Sequence, residues 1–299
     1  MDLKQLEYFV HVAEMGSFTR ASNFLQVAQP ALSRQVRSLE VELRQPLLER
    51  NGRGVTLTEA GQRLLDHARG ILAQVERARL DLEDQRGAAA GRFVLALPPS
   101  LSRALTVPLV QALRQRLPRA VPSIVEGLSA SMLEWLTTGR VDCAVVYNVT
   151  PSPAIDLVPV LDEPLFVVSA LAPGEPAEGP PLSLRAVAEL PLVIPSRPHS
   201  LRMLLETALA GEGRRARVAL EVESIPAILD LVREGGVHAV LSRNAIRASG
   251  REAAFQLRPI GAPPLVTTLW IATSAQRPRG PLIEQATALL RELLLEHWR

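Results

Sequence analysis

Apolar residues recur at steps of three and four through the first 15 positions, with Leu3, Leu6, Phe9, Val10 and Ala13 on one stripe. That spacing predicts an amphipathic helix over 2–15 that stops at Gly16, after which Ser17 can cap a second helix over about 18–25. Ala21 lies on the inner side of this second helix, where a small side chain lets a neighbouring helix approach. Gln26-Val27-Ala28 breaks the pattern. Pro30 then suits the first turn of a third helix, where the N–H it lacks has no partner anyway. Leu32, Val36, Leu39 and Leu43 form the core-facing stripe of that helix, and Gln29, Ser33, Arg34 and Arg37 occupy the opposite side. Two short extended runs follow, around Leu47-Leu48 and Val55-Leu57, with Asn51-Gly52 between them. Asn-Gly is a strong hairpin signal because both turn positions tolerate positive φ.

Thr56 with Glu59 matches a capping box, and Thr58 is an alternative cap. Either one opens a long helix whose apolar positions recur from Leu64 to Leu82 and which is expected to run to Arg86-Gly87. Nearly 30 residues of helix span about 40 Å, more than one small domain can cover. Arg63, Asp66, Arg77 and Asp81 flank the apolar seam, so the pattern predicts a coiled-coil-like partner helix that pairs two chains. Its candidate dimerisation residues are Leu64, Leu65, Ala68, Ile71, Leu72 and Val75. Gly87-Ala88-Ala89-Ala90-Gly91 has no core-forming period and reads as a hinge.

From Arg92 onward, short apolar runs alternate with amphipathic stretches. Phe93 to Leu97, Ser123 to Val125, Cys143 to Tyr147, Leu165 to Val168, Leu192 to Ile194, Val218 to Val222 and Ala239 to Leu241 read as strands. Helices are expected after Ser102, from about Ser131 and near Pro281 to Leu295, the rhythm of βαβ units with buried parallel strands. Three segments result: a helical domain closed by a hairpin over 1–58, a linker helix and hinge over 59–91, and an α/β domain over 92–299.

Composition narrows the classes. A chain of 299 residues accommodates about two domains, and no apolar run approaches the roughly 20 residues of a membrane helix. The amphipathic start at Asp2-Leu3-Lys4 lacks the form of an export signal, so a cytoplasmic location without membrane association is expected. Cys143 is the single cysteine, which excludes an intrachain disulfide and a thiolate metal cluster. The formal charge of +2 says little about partners. Its local distribution says more, because Met15 to Leu39 contains no Asp or Glu but does contain Arg20, Arg34 and Arg37. Such a window suits phosphate.

The chemistry on the third helix gives that window a purpose. Arginine pairs with guanine edges, glutamine with adenine, and serine with a base or a phosphate. Three helices with tight turns, the third carrying these groups near its N-terminal end, describe a helix-turn-helix oriented for a major groove. Arg50 and Arg53 flank the hairpin tip, as a wing that touches phosphate or an adjacent minor groove. Within the run from Phe9 to Gly61 stand Gly16-Ser17-Phe18, Ala28-Gln29-Pro30-Ala31-Leu32-Ser33, Leu39-Glu40, Leu47-Leu48-Glu49-Arg50 and Leu57-Thr58-Glu59-Ala60-Gly61. Together they resemble the N-terminal signature of the LysR family of bacterial transcriptional regulators. Ala21-Ser22 stands where the family usually has two small residues. Gly52-Arg53-Gly54-Val55 followed by Thr58-Glu59-Ala60-Gly61 resembles the nitrogen-assimilation-control subgroup.

The resemblance implies that Gln29, Pro30, Ser33 and Arg34 lie at the groove and Arg53 in the wing. It implies pairing through the linker helix, further assembly into a dimer of dimers, promoter DNA as partner, and RNA polymerase as a further partner of an activator. It also implies a periplasmic-binding-protein-like regulatory domain of two subdomains, 92–162 with 268–299 and 163–267, joined by two crossovers. Ligands of open α/β sheets sit beyond the carboxyl ends of strands, at helix N-termini. That rule selects Ser100, Ser102, Ser129, Ser131, Arg197, Ser200, Arg202 and Ser224 as candidate effector-binding residues, a set suited to a small anion such as a carboxylate. Pro98-Pro99 stiffens the first loop, which argues against a fully open pocket.

Two other classes fare worse. Catalysis lacks a constellation, because Cys143 lies in an apolar strand and the five histidines show no metal-ligand spacing. No cofactor is expected. A solute-binding protein would explain the C-terminal half but leaves the fused helix-turn-helix without a role.

Overall fold

The computed structural model describes residues 1–51, 54–83, 91–261, 264–277 and 279–297, without the side chains of residues 50, 51, 77 and 80–83. Arg53, the Arg50 side chain, the flanking Arg77 and Asp81 side chains and hinge residues 87–90 therefore lie outside the described residues. Two compact units emerge, residues 1–87 with 137–141, and residues 88–136 with 142–299.

The first unit begins with α1 (Leu3–Met15), α2 (Phe18–Leu25) and α3 (Gln29–Leu43). Asp2 and Gln5 form a reciprocal capping box at the start of α1, and Gly16 ends it in the left-handed region at φ 59°. Ser17 caps α2 by accepting from the Arg20 N–H. Phe9, Val12, Ala21, Leu32, Val36 and Leu39 are buried where the three helices meet.

The hairpin of β1 (Leu48–Asn51) and β2 (Gly54–Leu57) pairs Asn51 with Gly54. Asn51 thus belongs to the ladder, and Gly52 of the expected Asn51-Gly52 turn lies outside the described residues. Two contacts hold the hairpin to the helices. The Val55 N–H donates to the Gly16 carbonyl at 2.9 Å, and the Glu40 carboxylate accepts from the Leu47 and Leu48 N–H groups at 2.9 and 3.1 Å.

Helix α4 (Glu59–Glu83) starts at Thr58, not Thr56, because the Thr58 hydroxyl accepts from the Gly61 N–H and donates to the Pro46 carbonyl. Gly61 lies so close to the Leu47 carbonyl that a side chain has no room. Only the first half of the expected seam is absorbed here, with Leu65 and Ala68 buried against Leu6, Phe9 and Val10.

In the second unit, β3 (Gly91–Leu97) pairs in parallel with β4 (Ala120–Glu126) and β5 (Cys143–Tyr147). Strand β11 (Val266–Ser274) runs antiparallel to β5 and to the first part of β6 (Ile155–Ala170). Along β6 the partner changes: residues up to Pro164 pair with β11, and from Leu165 the strand pairs with β9 (Ala239–Ser242) and β10 (Phe255–Pro259). The second half extends from β9 to β7 (Leu192–Ile194) through a parallel bridge at Leu192 and His238, and from β7 to β8 (Val218–Glu221). Both halves are mixed sheets, so the expected parallel βαβ rhythm holds for β3, β4 and β5 and is interrupted at β6 and β11.

The continuous apolar run Leu165-Phe166-Val167-Val168 is buried on both faces, as a strand between helix layers must be. Phe166 and Val168 pack with Leu229 of α9 (Ile225–Glu234), while Leu165 and Val167 pack with Leu205 of α8 (Ser200–Gly211). In the first half, α5 (Pro99–Arg116) and α11 (Pro281–His297) cover β3 through Leu101, Leu105, Leu109, Leu290 and Leu294. Cys143 belongs to this core, where burial, with Asp142 adding to it, pushes its thiol up to about 12. The thiol stays protonated and unreactive at neutral pH.

A Cβ at position 61 would stand 2.0 Å from the Leu47 carbonyl oxygen, whereas one at Gly211 meets nothing within 4 Å. Gly61→Ala is expected to destabilise the protein by about 2–3 kcal/mol in urea unfolding, as forced overpacking does, and Gly211→Ala to leave the midpoint unchanged or slightly raised. An unshifted midpoint for Gly61→Ala would show that the backbone there yields at no cost.

Candidate nucleic-acid interface and ligand cavity

Helix α3 turns its polar face outward because Leu32, Val36 and Leu39 are fully committed to the core. Gln29, Pro30, Arg34 and Arg37 are exposed, and Ser33 is half-buried. Gln29, Ser33 and Arg37 follow one line at four-residue steps, and Pro30 and Arg34 stand beside it. The Arg34 and Arg37 guanidinium groups have no carboxylate partner among the described residues. Arg69, by contrast, is taken up by Glu14 at 2.8 Å. Ala28 provides no side-chain cap for α3, so that helix end stays open to an anion. Arg50 is placed only by its backbone in β1, opposite Val55.

The six residues expected at a dimer seam separate into two groups. Leu65 and Ala68, 4% and 0% exposed, are consumed by the core of their own chain, with Leu64 and Leu72 packed onto the same cluster. Leu65 and Ala68 are thereby removed from the surface, while Leu64 and Leu72 stay partly exposed. Ile71, 37% exposed, and the half-buried Val75 remain available along α4.

The second unit contains a cavity of about 440 Å³ between its two halves. Five helix starts meet there: α5, α6 (Ser129–Thr138), α8, α9 and α10 (Arg243–Arg247). Ser100, Ser129, Ser200 and Ser224 all line it. Ser102 and Ser131 do not, because α5 and α6 begin at Pro99 and Ser129, earlier than expected, and carry those residues past the opening. Ser102 is instead buried against Thr106, with the two hydroxyl oxygens 3.3 Å apart. Pro98 and Pro99 form part of the cavity wall and do not close it.

Arg197 and Arg202 are also absent from the lining. Arg202 is 7% exposed, and its guanidinium donates to Glu206 at 2.9 Å and to the Pro195 carbonyl at 3.1 Å, and pairs with Glu221 at 2.9 Å. Arg197 donates to the other Glu206 oxygen at 2.9 Å. Burial alone would raise the Glu206 carboxyl, but the two arginines hold it below its ordinary value. Both cations thus have carboxylate partners within the chain, Arg202 buried and Arg197 at the exposed surface.

Arg103, Tyr147, His199, Glu223, Ser242 and Thr267 line the cavity without having been expected there. Ser242 carried a readable signal, since it caps α10 by accepting from the Ala245 N–H at 3.4 Å. Thr267 carried none, because the crossover that places it is a tertiary feature. Burial pushes the His199 imidazole below its ordinary value, against the opposing pull of Glu223. Its Nδ1 accepts from the Leu201 N–H at 3.3 Å, which leaves Nε2 as the protonated nitrogen of the neutral ring.

Beside the cavity, the two crossovers are tied by side-chain amides. Asn148, in the left-handed region at φ 48°, donates from Nδ2 to the Thr267 hydroxyl at 2.8 Å and accepts from the Thr268 N–H at 2.9 Å. Asn244 of α10 donates to the buried Glu163 carboxylate of β6 at 2.7 Å. Both amides are next to cavity-lining residues, Tyr147 and Ala245.

Comparison with known proteins places both units. Residues 3–62 match the bacterial regulatory helix-turn-helix protein, lysR family, and residues 86–295 match the LysR substrate binding domain. The chain is 35% identical over 296 residues to the nitrogen assimilation regulatory protein nac of Klebsiella aerogenes, covering 99% of this chain and 94% of that one. Identity to the protein of the same name from Escherichia coli K12 is 34% over the same shares. Among solved structures, full-length CbnR complexed with its target DNA is similar in fold, with a TM-score of 0.69 at 23% identity over 98% of this chain and 100% of that one.

The neutral histidines give the second unit a pH dependence. Burial lowers both His199 and His238 from the ordinary 6.5, so the unfolded chain binds more protons as acidity rises. Their stabilising contribution is complete above about pH 6.5 and is lost as pH falls through the lower folded values. The urea midpoint should fall between pH 7.5 and pH 5, and His199→Gln should reduce the drop. An identical drop in the variant would show that His199 has no part in it.

Proposed function

On the premise that this chain belongs to the LysR family of bacterial transcriptional regulators, we propose that the outer face of α3 reads promoter DNA under the control of a small effector in the cavity. The chain is a DNA-binding transcriptional regulator of that family, as its matches to both family domains and its full-length relatives establish. The observation that supports the placement of DNA on α3 is that Arg34 and Arg37, on the face opposite the core, have no carboxylate partner among the described residues.

Gln29, Pro30, Ser33 and Arg34 lie in the first half of the helix, the part that meets base edges in helix-turn-helix proteins. Arg37 is farther along and suits phosphate, as do Arg50 and Arg53 of the hairpin. Ile71 and Val75 are the apolar positions along α4 that support pairing of two chains, and a two-fold dimer calls for an operator of two-fold character. The boundaries at 58 and 91 divide the chain by role in this reading, although α4 packs within the same compact unit as the three helices, and the cytoplasm, where the promoter is, is the place of action. No described helix is long and apolar enough to cross a membrane.

Two substitutions separate the contributions on α3. Arg34→Ala should cost about 1–3 kcal/mol on a selected operator and less on random duplex, since a base contact discriminates by that amount. Arg37→Ala should weaken both duplexes alike and lower the salt slope by about one. Equal effects of the two variants in fluorescence-anisotropy titrations at several salt concentrations would sink this assignment. On α4, Ile71→Glu should yield monomers in sedimentation and abolish operator binding while helical content stays unchanged. A dimer that survives it pairs through another surface.

A further inference from the structure

Several of the groups that would hold an anion in the cavity already have partners within the chain's own fold. Helix α5 begins with Pro99, which has no N–H, and its Leu101 and Ser102 amides return to the Pro98 carbonyl at 3.0 and 2.9 Å. Helix α9 carries Pro226 in its first turn, and its Ala227 N–H is claimed by the Ser224 hydroxyl at 3.5 Å. The Leu201 and Ala245 amides are claimed by His199 and Ser242. The Ser129 hydroxyl accepts from the Tyr147 N–H at 3.0 Å.

The remaining charges nearly cancel. Arg197 and Arg202 point their donors at Glu206, Glu221 and Pro195, leaving Arg103 as the arginine among the lining residues. It is exposed, and Glu223 stands on the same wall with a carboxylate. Leu128, Leu201, Ile225, Leu229, Leu241 and Ala248 give the lining its apolar surface, beside uncharged serine and threonine hydroxyls. An anion taken from water into such a space would lose its hydration without a buried counter-charge, a cost of several kcal/mol per ion. An apolar body gains about 25 cal/mol for each Å² it buries.

We propose that this cavity takes an uncharged, largely apolar small molecule and discriminates against small anions. The inference rests on reading the cavity as the effector site and replaces the carboxylate-type ligand expected from the serines and arginines of the loops. A volume of about 440 Å³ falls within the roughly 300–1,000 Å³ of small-molecule sites. His199 offers one N–H donor, from Nε2, to a carbonyl or hydroxyl oxygen of the ligand.

A matched pair of fluorescent probes tests the claim on the full chain. N-phenyl-1-naphthylamine is neutral and apolar, and 8-anilino-1-naphthalenesulfonate is the same skeleton carrying a sulfonate. Ala245→Phe and Ala248→Phe, two separate substitutions at half-buried lining positions, fill the cavity and define the cavity-specific part of each signal, with an unchanged urea-unfolding midpoint as the check on folding. The neutral probe is expected to bind at least tenfold more tightly than the sulfonate, and both filled variants are expected to lose that binding. A cavity-specific preference below tenfold, or a preference for the sulfonate, overturns the ligand class while leaving the cavity as the ligand site. Probe binding unaffected by either variant overturns the effector site itself along with the proposal.

Discussion

A single strand has to satisfy two cores. Strand β6 changes partners between Pro164 and Leu165, pairing with β11 on one side of that point and with β9 and β10 on the other. Everything in the second unit follows from this. The helices that pack on Leu165 to Val168 belong to one half, those that cover β3 belong to the other, and the space left between the two halves is the cavity. A proline at the change-over has no N–H to offer either ladder, which marks where one pairing can stop without leaving a buried donor unsatisfied.

The same crossover explains why polar side chains are buried beside the cavity. Strand β6 leaves one sheet for the other and interrupts its ladders there, and the side chains of Asn148, Thr267, Thr268, Glu163 and Asn244 supply local hydrogen bonds around that point. Asn148 adopts positive φ, a conformation that asparagine tolerates better than most residues. Because Asn148 and Asn244 adjoin residues lining the cavity, a molecule entering it meets the crossover network within one residue. The first unit is held by a different economy of contacts: Glu40 satisfies two loop amides, Thr58 caps α4, and Gly61 permits the close approach that brings them together.

Much of the helical unit was legible in the sequence because its order is local. Period, cap and breaker residues lie next to one another in the chain, so Gly16, Ser17, Pro30 and the stripe from Leu32 to Leu39 mark their elements directly. The exposed face of α3 was legible for the same reason, being the complement of that stripe. Glu40 was not, since its partners are seven and eight residues away across a loop. In the second unit the strands were readable as apolar runs, but their partners were not, because pairing at β6 and β11 is a tertiary choice. The arginines near Ile194 show the limit clearly. As residues, Arg197 and Arg202 suggest an anion; Glu206 is legible as a partner one helical turn from Arg202, but only the fold reveals that it also takes Arg197 and that Glu221 reaches Arg202. Leu65 and Ala68 show it again, since the apolar repeat along α4 does not distinguish a residue buried in its own chain from one kept for another.

The burial of Leu65 and Ala68 also has a mechanical meaning. With those two residues locked against α1, the long helix and the DNA-facing head cannot swivel independently and behave as one stiff arm. At 1.5 Å per residue, the 25 residues of α4 give that arm a reach of about 37 Å. Tilting such an arm by about 10° about its far end carries the head through roughly 6 Å, close to the rise of two base pairs at about 3.4 Å each. Small angular changes at the end remote from DNA are thereby magnified into differences in the operator spacing that a pair of heads can span.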